Sequence, residues 1–262
     1  MNTNNEMVSV VIPYWKYNDK SLEYLKEALQ SLENQTYKNF EVILCIDTPK
    51  INKEVKEVEE LIKEFKFRID IEIRRGLTPN ISKTRNQALG LAFGKYIAFL
   101  DADNMWHRDW LAYMINAAKK VYPNAVYSRA ASDMRVLEWG ESLLKIKDTH
   151  HDNAFDVIDK KHFNYYLNVP SNPLFGAVMI NQEILDKIGT FEPELEIYET
   201  SLMMVKLFMN YNVYYVNEAF LYTRLWDGCI SIRGGYQKLV DYKSLFELKA
   251  KQYYNNGSGK NV

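Results

Sequence analysis

The sequence predicts an α/β protein with a mostly parallel central sheet flanked by helices. Three observations predict it. Short apolar runs, FEVILCI over residues 40–46 and KYIAFL over residues 95–100, each stop at an aspartate. Runs of this kind, apolar on both faces, are typical of buried parallel strands. Amphipathic segments at helical spacing alternate with them, which suits right-handed strand–helix–strand crossovers. The composition, 47% apolar and 26% charged over 262 residues, is that of a globular chain with a substantial core.

In chain order, residues 7–12 (MVSVVI) read as the first strand, ended by Pro13, which has no N–H to give a ladder. Residues 14–19 (YWKYND) read as a loop. Leu22, Leu25, Ala28, Leu29 and Leu32 make residues 21–32 an amphipathic helix, with Ser21 placed to cap it. The second strand, residues 40–46, ends at Asp47. A charged helix over residues 53–66 carries the apolar stripe Val55, Val58, Leu61, Ile62 and Phe65. Residues 69–74 (IDIEIR) alternate cleanly and predict a strand with one wet face. A loop over residues 76–80 and a basic loop, Ser82 to Asn86, precede a helix over residues 87–93 with Gly94 as its C-cap.

The strand at residues 95–100 is the centre of the reading. It places Asp101 and Asp103 at the carboxyl end of a buried strand, where open α/β sheets put their ligands. Paired carboxylates repel, and Mn2+ or Mg2+ would relieve that repulsion and bridge phosphate oxygens. Beyond it the spacing predicts a helix over residues 110–122, a strand over 125–129, and a polar stretch over 133–159. The His150-His151-Asp152 run in that stretch reads as surface, because adjacent side chains rarely converge on one ion. A turn over 170–173 leads to a strand over 175–180. A short helix over 181–188 is closed by Gly189, and a helix follows over 201–211. A strand over 213–216, a loop over 221–233 with Arg224 and Arg233, and a helix over 238–253 complete the chain. Residues 1–255 are expected as one domain, with a first half to about residue 106 and a second half after it. Residues 256–262 are expected as a flexible tail.

A net charge of −1 gives no electrostatic case for nucleic acid. Cys45 and Cys229 form no framework and read as free thiols in a reducing compartment. The opening MNTNNEMVSVVIP does not read as a signal peptide, and no window approaches a membrane span, so a cytoplasmic protein is expected. Peripheral contact at the inner face of a membrane stays compatible with this. There is no Gly-x-Gly-x-x-Gly after a strand, no P-loop, and no Gly-x-Ser-x-Gly elbow.

The order basic residue, Asn, helix, Gly, strand and Asp-x-Asp resembles the family 2 glycosyltransferases of the GT-A, nucleotide-diphospho-sugar transferase, fold. Residues 8–13 (VSVVIP), Tyr17-Asn18, Ser31-Leu32-x-Asn34-Gln35-Thr36-Tyr37 and Ile188-Gly189-x-Phe191 look like the same family. Two departures are visible: extra residues between Pro13 and Tyr17, and Thr48-Pro49 after Asp47 in place of Gly-Ser. The resemblance implies inverting transfer from a nucleotide-sugar donor, UDP-linked by preference, to a glycan or lipid-linked acceptor. For the donor, Pro13, Tyr14 and Tyr17 would stack on the base, and Asp47 would accept from base or ribose. The alternative for the tyrosines is plain packing, and for Asp47 a turn. Lys83 and Arg85 would add charge near the phosphates. Asp103 would ligate the metal directly; Asp101, beside Ala102, would reach ribose or the metal through water.

The general base of such an enzyme is a carboxylate opening a late helix. Here that place is Tyr198-Glu199-Thr200, with Thr200 where a second acid is expected. Glu199 takes the role, or Glu196 does in a shifted register, or catalysis is lost. Two other readings stay beside this one. A non-catalytic carbohydrate-binding or scaffold protein of the same fold would explain Thr200. A sugar-phosphate nucleotidyltransferase would need a glycine-rich basic loop where the chain has Tyr-Trp-Lys-Tyr.

Overall fold

The computed structural model describes residues 6–49, 53–132, 156–168, 175–224 and 235–257. Its strands are β1 (Val8–Tyr14), β2 (Phe40–Asp47), β3 (Ile69–Arg74), β4 (Tyr96–Phe99), β5 (Met105–Trp106), β6 (Ala125–Ser132), β7 (Val157–Ile158), β8 (Val178–Asn181) and β9 (Val213–Thr223). The helices are α1 (Ser21–Glu33), α2 (Lys53–Ile62), α3 (Ile81–Leu89), α4 (Trp110–Lys120), α5 (Phe163–Asn168), α6 (Gln182–Ile188), α7 (Glu199–Asn210) and α8 (Gly235–Gly257).

One sheet runs in the order β3-β2-β1-β4-β8-β6-β9-β5, with β7 pairing β9. Its first half, β3-β2-β1-β4, is parallel throughout. Beyond β4 it is mixed: β8 is antiparallel to β4 and β6, while β6 and β9 run parallel. The expected α/β fold with a mostly parallel sheet is thereby met, the antiparallel pairings all lying beyond β4. Side-chain alternation sorts the core onto two faces. Val8, Val10, Ile12 and Tyr14 of β1 pack with α1, α2 and α4 on one face. Val11, with Ile43 and Cys45 of β2, packs with the helices on the other. Burial pushes the Cys45 thiol up to about 12, so it is an inert core residue.

Several boundaries differ from the sequence reading. Pro13 does not end β1, which continues through Tyr14. The Leu100 N–H donates to the Val11 carbonyl, so Val11 faces β4, and Pro13, two residues on, faces the same way past the last β4 pair. The missing donor therefore has no ladder partner to lose. Ser21 does not cap α1; its hydroxyl accepts from the Tyr17 and Asn18 N–H groups and folds the preceding loop back. Helix α3 begins at Ile81, six residues earlier than expected, so the basic loop is helical. Gly94 is not its C-cap. It lies where a Cβ would meet Ser9 N at 2.5 Å and Met7 O at 2.8 Å, a close backbone approach only glycine permits. Strand β9 is longer than expected, running to Thr223. Helix α8 continues to Gly257, past the start of the expected tail. Phe175–Ala177 is a 3-10 turn that precedes β8. The His150-His151-Asp152 run, the 170–173 turn, Cys229 and Arg233 lie outside the described residues.

Candidate active site

The parallel strands β1, β2 and β4 point their carboxyl ends the same way, so Tyr14, Asp47 and Asp101 come to one edge of the sheet. The N-terminus of α3 sits at that edge too. Asn80 caps it, its side-chain oxygen accepting from the Lys83 N–H at 2.9 Å. Asp47 joins three elements there. It accepts from Arg74 Nη1 at 2.5 Å, the Asn80 N–H at 2.8 Å and Thr84 Oγ1 at 2.9 Å. A carboxylate has about four acceptor directions, so most of Asp47's capacity is used inside the protein.

The centre of the site is Arg85, one helical turn into α3 and fully buried, with 1% exposure. Its guanidinium donates from Nη2 to Asp101 Oδ1 at 2.7 Å and from Nη1 to Glu199 Oε1 at 3.1 Å. The group also lies over the Phe191 ring, 5.2 Å from the centroid. The remaining donor, Nε, is buried without a hydrogen-bond partner among the described residues. A guanidinium tolerates such burial because carboxylates meet it on two sides. Arg85, expected near the phosphates, bridges Asp101 at the end of β4 and Glu199, the acid that opens α7.

Glu199 is the first residue of α7 and follows Tyr198, a non-glycine residue held in the left-handed region at φ 67°. Burial pushes the Glu199 carboxyl above its ordinary range; Arg85 opposes that shift and the Asp101 charge adds to it. An upward shift is the direction a general base working near neutral pH needs. Glu196, the other candidate, is exposed, and Thr200 is partly buried one step along α7.

Asp101, Ala102 and Asp103 turn away from the sheet edge, and the Asn104 N–H closes the turn on the Asp101 carbonyl at 3.0 Å. Arg224 holds this turn. Its N–H donates to Asn104 Oδ1 at 3.0 Å, its Nε lies 3.4 Å from the Asp103 carbonyl, and its fork is paired with Glu27 of α1 over the Tyr24 ring. Arg224, read in the sequence as part of a loop, is thus a buried brace under the acidic turn. Tyr14, read there as loop, is in the core with 2% exposure, and burial pushes its hydroxyl up. Pro13 is partly buried in β1, Tyr17 meets Trp15 edge-on at 4.8 Å, and Lys83 is exposed. Arg74 and Thr84 were given no site role in the sequence reading. For Asn80 a local signal existed, an asparagine one residue before a helical run.

Among the described residues no group of three or more His, Cys, Asp or Glu could hold a metal ion alone. Asp101 and Asp103 offer two hard oxygen donors, which fits Mg2+ or Mn2+, since such ions take one or two carboxylates and leave the rest of the shell to phosphates and water. No helix among the described residues is long and apolar enough to cross a membrane.

A glycosyl transferase family 2 model matches residues 9–189, well over half of the chain, and the chain belongs to that family. Its fold is the GT-A arrangement. It is 31% identical over 194 residues to an uncharacterized glycosyltransferase of Methanocaldococcus jannaschii, covering 70% of this chain and 58% of that one. It is 36% identical over 101 residues to WfaP of Escherichia coli, a UDP-Glc:alpha-D-GlcNAc-diphosphoundecaprenol beta-1,3-glucosyltransferase, covering 38% and 37%. Among solved structures, TarS 1-349 of S. aureus with UDP-GlcNAc superposes with a TM-score of 0.68 at 16% identity, covering 93% of this chain and 66% of that one. PcManGT of Pyrobaculum calidifontis, a mannosyltransferase with GDP-Man and Mn2+, gives 0.61 at 15% identity, covering 97% and 65%. The chain spans less than two thirds of each of these proteins.

Proposed function

We propose that the chain is an inverting glycosyltransferase that moves a sugar from a nucleoside-diphosphate donor, UDP-linked by preference, to a glycan or lipid-linked acceptor. The observation that carries this reading is Arg85 bridging Asp101 and Glu199. One buried cation brings the acids of the donor side and the acceptor side to a common point. The names of the relatives support the donor and acceptor classes, and a lipid-linked acceptor would put the work at the cytoplasmic face of a membrane.

In this reading Glu199 takes the proton from the acceptor hydroxyl. The acceptor oxygen forms a bond to the anomeric carbon as the bond from that carbon to the diphosphate breaks, and the configuration inverts. Asp103, with Asp101 behind it, would hold Mn2+ or Mg2+, which when bound supplies charge to offset the departing diphosphate. Arg85 occupies Asp101 Oδ1, so Asp103 would be the direct ligand. Pro13 and Tyr17 would border the base, while Tyr14 supports them from the core. Asp47 keeps one acceptor direction for a base or ribose, and exposed Lys83 can swing toward phosphate.

A thermal-shift panel of nucleoside diphosphates, with and without Mn2+, tests the reading. UDP with Mn2+ is expected to raise the melting temperature by several degrees. Saturation at a hundredfold over Kd adds about 2.7 kcal/mol, at about 2–4 °C per kcal/mol for a chain of this size. Asp103→Ala is expected to abolish the rise. A wild type that no diphosphate stabilises under any metal condition refutes the proposal. Stabilisation without any donor turnover would favour the non-catalytic reading.

A further inference from the structure

Residues 190–198, which lead into Glu199, contain no helix or strand. Such a segment has no ladder of its own to hold it, and its backbone groups need partners elsewhere. Lys206 of α7 donates to the Thr190 carbonyl at 2.7 Å and the Leu195 N–H donates to the Glu192 carbonyl, and the rest of the side-chain grip comes from α3 and its cap. Asn86 makes a two-bond pair with one residue of the segment: its Nδ2 donates to the Phe191 carbonyl at 2.9 Å, and its Oδ1 accepts the Phe191 N–H at 2.9 Å. Asn80 Nδ2 donates to the Pro193 carbonyl at 3.0 Å, and Ser82 Oγ donates to the Leu195 carbonyl at 3.2 Å. Three alternate backbone positions, 191, 193 and 195, are therefore gripped by side chains of α3 and its cap. Four residues beyond the last grip stands Glu199, and Arg85 of the same helix takes its carboxylate.

We propose that α3 is the positioning element for Glu199, with Asn86 and Arg85 as its positioning residues. The inference rests on Glu199 being the base of the proposed reaction. Asn86 sets where the segment enters, and Arg85 sets where the carboxylate ends. Asn86 has to be an amide, because an aspartate could accept the Phe191 N–H but would set a negative oxygen against the Phe191 carbonyl. The same helix holds Asp101 through Arg85, so donor-side and acceptor-side groups share one rigid support.

The test is a double-mutant cycle on UDP release from UDP-glucose and UDP-N-acetylglucosamine with Mn2+, together with UDP binding by calorimetry. Asn86→Ala is expected to leave the Kd for UDP within about twofold and to lower kcat by about 10- to 100-fold, the scale on which an ångström of misplacement acts. In the Glu199→Gln background the same substitution is expected to cost nothing further, because a positioning residue has nothing left to position. Asn86→Asp, which keeps size and one of the two bonds, is expected to fall between, and it carries the test should the alanine variant not fold. A full additive loss in the Glu199→Gln background, or weakened UDP binding in proportion to lost turnover, overturns the inference. A crystal structure of the variant is the readout independent of turnover: an Arg85–Glu199 contact unchanged from 3.1 Å overturns it as well. A wild type that neither binds UDP nor releases it refutes the proposed function itself, and the inference falls with it.

Discussion

Arg85 has 2% of its side chain exposed, while its partners Asp101 and Glu199 keep 33% and 11%. Removing one partner of such a group is far more damaging than replacing all of them, because a buried charge is left uncompensated. Arg85→Met is therefore expected to lower the unfolding free energy by about 3 kcal/mol, the low end of the range for buried pairs because Asp101 is part-exposed. Urea denaturation at neutral pH measures it, and a loss below 1 kcal/mol would mean that water compensates both acids. Asp101 was legible in the sequence because it ends an apolar run, and Glu199 only through the family resemblance, since the helical spacing began at residue 201. Their link to Arg85 was not, since Glu199 lies 114 positions away in the chain and no local pattern reports so distant a contact. Tyr14 was misplaced for another reason. Tyrosine is intermediate in burial preference, so only the strand extending past Pro13 decides that it faces the core.

At the scale of elements, Glu192 ties two helices together. It accepts from Lys206 of α7 at 2.8 Å, and from Lys249 at 3.1 Å and Tyr253 at 2.9 Å, both of α8. Burial alone would push its carboxyl up, but these donors outweigh burial and hold it at about 2. A carboxyl held down in the folded state stabilises above its unfolded value of about 4.3 and loses that contribution as pH falls toward the folded one. The stability gap between wild type and Glu192→Gln is thus expected to be constant from pH 5 to 7 and to close between about pH 4 and pH 2. Thermal melts of both proteins across that range check it; a gap that persists at pH 2 would show that the charge is not the cause. Elements with their own periodicity were legible: α1, α4, α6 and β3 fall within two residues of the expected boundaries. Helix α3 was not. Its first turn carries Ser82, Lys83 and Thr84, which look like loop until Asn80 is seen capping it. Strand β5, two residues long, has no period to read.

For the molecule as a whole, the α/β class was legible because parallel strands buried on both faces write continuous apolar runs, and the GT-A arrangement only through the family its motifs resemble. The mixed half was not, because strand direction leaves no mark on the sequence when the connection is long. That sheet has a consequence for self-association. Strand β3 is paired only with β2, and stands at one end of the described sheet with every residue half-buried. An unpaired strand edge is a template for a second copy of the chain. Along this one, Arg68, Asp70, Glu72 and Arg74 recur at every second position. Any in-register stacking of two such edges sets like charges face to face. Replacing Asp70 and Glu72 by valine leaves five consecutive β-branched residues there. The doubly substituted protein is expected to form light-scattering assemblies at concentrations where the wild type stays dispersed, and equal scattering from both would show that the edge is protected by something other than its charges.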